Sequence, residues 1–283
     1  MIRLIGLYRE REYSPGRHQS NDARLLEEAS ARLRERGFAV ELTTIDRLAE
    51  PPIDAAMVFS MCQGRAALER LCDWESRGVR VVNSPRAALN TYRDRLPSLL
   101  ERAGVPYPAT RLIPTDAPPD PAVDVDGGLW LKRGGVHASV ASDVQWIDSL
   151  ARLEAGRVAF AGRGIQVAAL QAHRAGDEIK FYGLAHGRFF HWFYPGESRG
   201  YAFDAAALTA LAVRAAAAAG LDIFGGDVIV SPAGDLTLID LNDWPSFAPC
   251  REAASDAIAE YLAREVHAAW NPGLVSSADP RSV

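Results

Sequence analysis

Three oxygen-bearing side chains stand in an otherwise apolar stretch, FGGDVIVSPAGDLTLIDLNDWPSF at 224–247: Asp227, Asp240 and Asn242. The flanking runs are rich in Val, Ile and Leu, which predicts two strands joined by a tight hairpin. Pro232, Ala233, Gly234 and Asp235 form the predicted loop, with Pro presetting one backbone angle and Gly supplying positive φ. Ser231 then pairs with Leu236, and the same register sets Asp227 opposite Asp240. Side chains alternate with period two, so Asn242 shares the face of Asp240. Two facing carboxylates among apolar neighbours repel unless one is protonated or a cation lies between them. Two carboxylates and an amide, without His or Cys beside them, are hard oxygen donors that suit Mg2+ or Mn2+ better than zinc. A partial cage of this kind leaves positions for the oxygens of a nucleotide polyphosphate. The same residues also fit a plain polar hairpin at a sheet end, with Asp227 capping a turn.

A second group lies upstream. Lys132 ends the apolar run LWLK and is followed by RGGVHAS. An ammonium next to a glycine-rich loop can hold phosphate, because Gly134 and Gly135 let backbone N–H groups approach the oxygens. A surface lysine before a turn reads the same way. The stretch is neither a Walker loop nor a dinucleotide-binding glycine fingerprint. In IQVAALQAHRAGDEIKFYG, two apolar strands flank RAGDE, and the backbone at Gln171, Ala172 and His173 is placed to read an adenine edge. His173 has no second histidine at ligand spacing. Lys180 puts a charge into the next strand, and the aromatic loop after it brings His191 and Arg199, suited to an anionic substrate or to plain packing.

These groups need sheets to carry them. IRLIGLY, the helix pattern NDARLLEEASARLRERG, then AVELTT, AAMVFSM, RAALERLCDWESRG and VRVVNSP alternate strand and helix, the pattern of a parallel α/β lobe at 1–84. Asn21 or Asp22 is the expected cap of its first helix, Leu25, Leu26, Ala29 and Leu33 its buried face, and Gly37 its stop. Two short helices, the Gly104 stop and Pro106 and Pro108 lead into α+β segments at 85–163 and 164–270, and 271–283 reads as a tail. The alanine-rich helix after Asp204 suits close packing on a sheet.

With 283 residues, 48% apolar and 24% charged, the chain can bury a full core, and its net charge of −5 argues against nucleic-acid partners. Three cysteines without a C-x-x-C pair give no disulfide framework or thiolate zinc site. No apolar run has the length of a membrane span, and the first residues lack a secretory pattern, so a cytoplasmic, membrane-free protein is expected. Nothing in the pattern fixes or excludes a homo-oligomer.

Taken in order, NTYRDRLPSLLERAGVPYPAT, LWLKRGG, ALQAH with GDEIKFYG, and FGGDVIV with LIDLNDWPSF resemble the ATP-grasp superfamily over about residues 85–262. The most specific parts are GGDVIV, similar to its G-[VF]-D strand, and IDLNDWP, similar to its [DE]-x-N-x-x-P strand. The nearest patterns are glutamate ligases acting on ribosomal protein tails, bacterial glutathione synthetases and inositol trisphosphate kinases. The resemblance implies ATP clasped between two α+β subdomains behind an N-terminal α/β domain, with metal at Asp227, Asp240 and Asn242. It also implies an ATP contact at Arg95, where many members have lysine, and phosphate and adenine-side contacts at Lys132. Ala172 stands where relatives commonly carry glutamate, which shifts the implied ribose contact to Asp177 or Glu178. Lys180 matches a cation that faces substrate and phosphate.

The implied reaction joins a small-molecule or peptide carboxylate to an amine through an acyl phosphate, with Lys180 and Arg199 stabilising charge and ATP consumed. A small-molecule kinase on the same fold is the alternative. Only Arg188 and Arg199 lie in 181–203, too few cations for an inositol polyphosphate. A non-catalytic nucleotide-binding module is the third reading, disfavoured by the intact Asp, Asp, Asn set.

Overall fold

The computed structural model describes residues 1–270 apart from 15, 119, 121, 137–139, 186 and 187; the predicted tail lies outside them. Three four-stranded sheets organise the chain. The first is parallel, β2(Ala39–Thr43)-β1(Arg3–Leu7)-β3(Met57–Ser60)-β4(Val81–Val82), with helices α1(Arg17–Glu35) and α2(Arg65–Ser76). The expected apolar face of α1 is present, with Leu25, Leu26, Ala29 and Leu33 buried. Its start is not at Asn21 or Asp22. The helix begins after Gly16, whose φ of 62° turns the chain, and Asp22 instead becomes a buried acceptor for Arg9 and Ser14.

The central sheet has the order β5(Thr110–Pro114)-β8(Val167–Ala172)-β6(Leu129–Arg133)-β7(Val144–Ile147), all neighbours antiparallel. Helix α5(Leu150–Gly162) covers one face, where Leu131, Leu153, Phe160, Ala168 and Leu170 pack together. Strand β8 therefore belongs to this sheet, and the unit extends to Ala172 instead of ending at 163. β8 is drawn in because it bonds to both β5 and β6.

The third sheet is β10(Phe190–Phe193)-β9(Asp177–Leu184)-β11(Ile223–Val230)-β12(Leu236–Asp243), antiparallel throughout. The alanine-rich α6(Ala205–Ala219), capped by Asp204 and ended by Gly220 at φ 80°, packs on its apolar face. Two short helices, α3(Pro85–Asn90) and α4(Leu96–Arg102), join that same core through Ala87, Leu96 and Leu100, while Ala88, Leu89 and Tyr92 pack into the first lobe and not into the core of the central sheet.

The last helix, α7(Arg251–Trp270), likewise returns to the first lobe. Ala254, Ile258, Leu262 and Val266 share a core with Leu4, Leu25, Leu33 and Met57. A buried arginine strengthens this junction: Arg9 donates from Nε to Met61 O at 3.1 Å and from its terminal nitrogen to Trp244 O at 2.6 Å. Among the described residues no helix is long and apolar enough to cross a membrane.

Candidate functional site

The third sheet turns one face to α6 and leaves the other facing the central sheet. Register assigns the residues to these faces. Lys180 pairs with Asp227 and Asp227 with Asp240, so all three lie on the open face; Asn242 and Glu178, two residues along their strands, join them. Phe181, Phe224, Val228 and Leu241 alternate onto the covered face. The same period-two logic puts Lys132 and Gln171 on the open face of the central sheet, with Leu131 and Leu170 behind.

The predicted pairing of Asp227 with Asp240 is present, by a different route. Val230, not Ser231, pairs with Leu236, and the shifted register is corrected by a bulge at Ile239. A bulge leaves its extra residue out of the ladder. The Ile239 carbonyl is thereby available to accept from Lys132 Nζ at 3.4 Å and Gln171 Nε2 at 3.3 Å, which ties the two sheets across the cleft. Close backbone approach explains the glycine before Asp227: a Cβ at Gly226 would lie 2.4 Å from Asp240 O.

The cluster is electrostatically crowded. Lys180 Nζ bridges Asp227 at 2.8 Å and Glu178 at 3.0 Å; burial opposes its charge, and the two carboxylates more than offset that, raising its pKa. Lys132, 6% exposed, is pushed the other way, since burial outweighs the pull of Asp240. Burial lifts the Asp227 carboxyl to about 6, with Lys180 opposing and Asp240 adding to the rise. Just beyond, Asp243 is lifted to about 7 by burial, which the Asn83 amide only partly offsets.

Arg93 is the residue that sequence reasoning missed. Its side chain is 3% exposed and donates to Asp240 Oδ2 at 3.1 Å and to the carbonyls of Arg133 and Val136 at 2.9 and 3.0 Å. Arg95, proposed for that role, is exposed at the N-terminal cap of α4. A usable signal existed: Pro97 in the first turn of α4 places Arg95 at the cap, and Arg93 then falls in the buried link between helices.

Several other predicted residues fall elsewhere. Asp177 is not free for a ribose. Burial alone would raise its pKa, but backbone N–H groups of Arg199, Gly200 and Tyr201 bond its carboxylate at 2.9, 2.8 and 3.3 Å and lower it. Glu178, beside Lys180, is the carboxylate on the cluster's face. Arg199 is exposed, its guanidinium bonded to the Tyr201 hydroxyl, so it is not brought to Lys180. The N–H groups of Ala172 and His173 already bond to Ala109 O and Gly128 O, which removes them as donors to an adenine edge. His173 instead accepts from Trp130 Nε1 and packs against Trp146. Gly134 N–H bonds Val167 O; Gly135 has open space at its Cβ, and the following 137–139 lie outside the described residues.

The donor set fits a hard divalent cation: two facing carboxylates and an amide, one carboxyl raised chiefly by burial and further by its neighbour Asp240. Among the described residues no group of three or more His, Cys, Asp or Glu forms, and the third oxygen donor on this face is the Asn242 amide. A pH dependence follows. The folded pKa of Asp227, about 6, exceeds its unfolded value, so this group's contribution to metal-free stability is lost as pH rises from about 4 through about 6. Mg2+ should therefore raise the melting temperature more at about pH 7.5 than at about pH 5, where Asp227 holds its proton. Differential scanning calorimetry with and without Mg2+ checks this, and an equal shift at both pH values contradicts it.

A parallel sheet lobe precedes two antiparallel sheets that face each other across a charged cleft, and solved structures share this arrangement. A RimK domain ATP-grasp protein from Sphaerobacter thermophilus superimposes with a TM-score of 0.67 at 19% identity, covering 92% of this chain and 99% of that one. The chain has the ATP-grasp fold. D-alanine–D-alanine ligase from Bacillus anthracis, solved with ATP, gives 0.69 at 12% identity, covering 94% and 99%. D-alanyl-alanine synthetase A from Vibrio cholerae gives 0.71 at 10%, covering 94% and 97%. No family model matches the sequence, and no curated protein matches it. At these identities the likeness is one of fold.

Proposed function

We propose that the cleft is the active site of an ATP-dependent carboxylate–amine ligase, forming an amide or peptide bond through an acyl phosphate and releasing ADP and phosphate. The observation that carries this reading is the convergence of Arg93, Lys132 and Lys180 from three separate segments on Asp227, Asp240 and Asn242. A polyanion is the ligand that such buried cations accommodate, and the fold is shared with a ligase solved with ATP.

Arg93, from the link between α3 and α4, and Lys132, from the central sheet, hold phosphate oxygens, and Lys180 stabilises charge on the transferring group. Held by Asp227, Asp240 and Asn242, Mg2+ or Mn2+ would supply charge neutralisation at the phosphates. A substrate carboxylate oxygen attacks the γ-phosphorus, the bond to ADP breaks, and ADP departs with the electron pair. The amine nitrogen then attacks the acyl carbon, phosphate leaves with its electron pair, and the nitrogen gives up a proton. Such chemistry needs alignment and electrostatic stabilisation more than a protein nucleophile. Closely apposed sheets keep water from the acyl phosphate. The substrates are small-molecule or peptide acids and amines.

The test is incubation with ATP, Mg2+ and pooled amino acids, short peptides and small carboxylic acids, with ADP, phosphate and product masses recorded. The ligase reading expects phosphate equal to ADP and a product lighter than its parents by one water. A product gaining a phosphoryl group, without free phosphate, replaces it with a kinase.

A further inference from the structure

Two buried donors beside Asp240 have no partner: the Nε of Arg93 and the hydroxyl of Tyr107. Tyr107 is partly buried and lines a groove of about 630 Å3 between α4 and the Gly104–Thr110 segment, while its hydroxyl is sealed from solvent. Its charged neighbours are Asp240 and Arg93 of the cluster. Burial raises its pKa, Asp240 pushes the same way, and Arg93 opposes. The Gln171 side chain stands near it without hydrogen-bond geometry, and the Gln171 amide nitrogen is committed to Ile239 O. The ring is held here because Leu238 N–H bonds Pro106 O, which stitches the segment before Tyr107 to the strand that carries Asp240.

A buried hydroxyl without a partner costs the ligand-free protein stability. Phenylalanine would fill the same space without that cost. We propose that Tyr107 is a further ligand-binding residue, donating its hydroxyl to a phosphate oxygen of the bound nucleotide next to Arg93 and Lys132. This assignment rests on the nucleotide reading of the cleft. A phosphate oxygen is the match because the other orphaned donor belongs to a guanidinium and Lys132, bonded to the same Ile239 carbonyl as Gln171, brings an ammonium to the cluster; an anion satisfies all of them together.

The experiment compares wild type and Tyr107→Phe by isothermal titration with Mg·ADP and, separately, with adenosine, and by thermal unfolding of the ligand-free proteins. The proposal expects Mg·ADP affinity to fall about tenfold, as for one hydrogen bond to a charged group, with adenosine affinity unchanged. It also expects the ligand-free variant to melt at the same temperature as wild type or higher. Unchanged Mg·ADP affinity overturns the proposal. A lower melting temperature overturns it too, since the hydroxyl then already serves the fold through Gln171. Equal weakening toward adenosine and Mg·ADP places the contact on the nucleoside and overturns the phosphate assignment. Wild type that binds neither compound removes the nucleotide reading itself, and this proposal with it.

Discussion

Replacing Asn242 by alanine should lower ATP-dependent turnover by about a hundredfold or more and leave the fold intact. The magnitude is that of losing one preorganised polar group at a charged reaction centre. The separation of activity from stability comes from this molecule. Asn242 shares the open face with Asp227 and Asp240, and its amide has no hydrogen-bond partner among the described residues, so its removal breaks nothing in the ligand-free protein. Asp240→Asn should lose turnover as severely but also lower the melting temperature, because Asp240 is the charge partner of Arg93. Steady-state rates and melting curves on the two variants distinguish these outcomes. Near-normal turnover in Asn242→Ala contradicts the assignment of the metal ligands.

Arg93→Ala should destabilise the protein by about 3–5 kcal/mol, the range for removing one member of a buried ion pair. The two side chains are 3% and 16% exposed, so water cannot replace the lost charge easily. Alanine would strand the Asp240 carboxylate and release the carbonyls of Arg133 and Val136, at the start of the glycine loop after β6. Those contacts join the link between α3 and α4 to β12 and to the loop after β6. Urea unfolding should show a lower midpoint with an unchanged slope. Arg93→Lys should fall between, because an ammonium keeps the charge and loses the planar fork. A midpoint within error of wild type for Arg93→Ala would show that the pair adds nothing to stability.

The legible parts of the site were those governed by local rules. Period-two alternation places Asp240 and Asn242 on one face, but Asp227 faces Asp240 only because the shifted pairing of Val230 with Leu236 is offset by a bulge. The bulge at Ile239 has no local signature: nothing about that isoleucine marks it as unpaired, and its carbonyl becomes an acceptor only because Lys132 and Gln171 arrive from another sheet. Arg93 and Arg95 are two arginines in one tetrad, and helix periodicity cannot separate them in the break between α3 and α4. Asp177 looks like a ribose ligand from its place before a strand, yet its partners lie more than twenty residues downstream. Architecture divides in the same way. The parallel first lobe follows from alternating strand and helix patterns, whereas the return of α7 to that lobe rests on Ile258, Leu262 and Val266 meeting residues from the chain's beginning.

In the proposed active site, Asp227, Asp240 and Asn242 jointly bind a divalent cation together with a nucleotide. This joint binding is tested most directly by titrating wild type and Asn242→Ala with Mn2+ in the presence and absence of ADP, following free Mn2+ by its electron paramagnetic resonance signal. ADP and wild-type protein together should deplete free Mn2+ well beyond ADP alone, and Asn242→Ala should abolish the additional binding. Equal depletion by wild type and variant, or none by either beyond ADP alone, contradicts it.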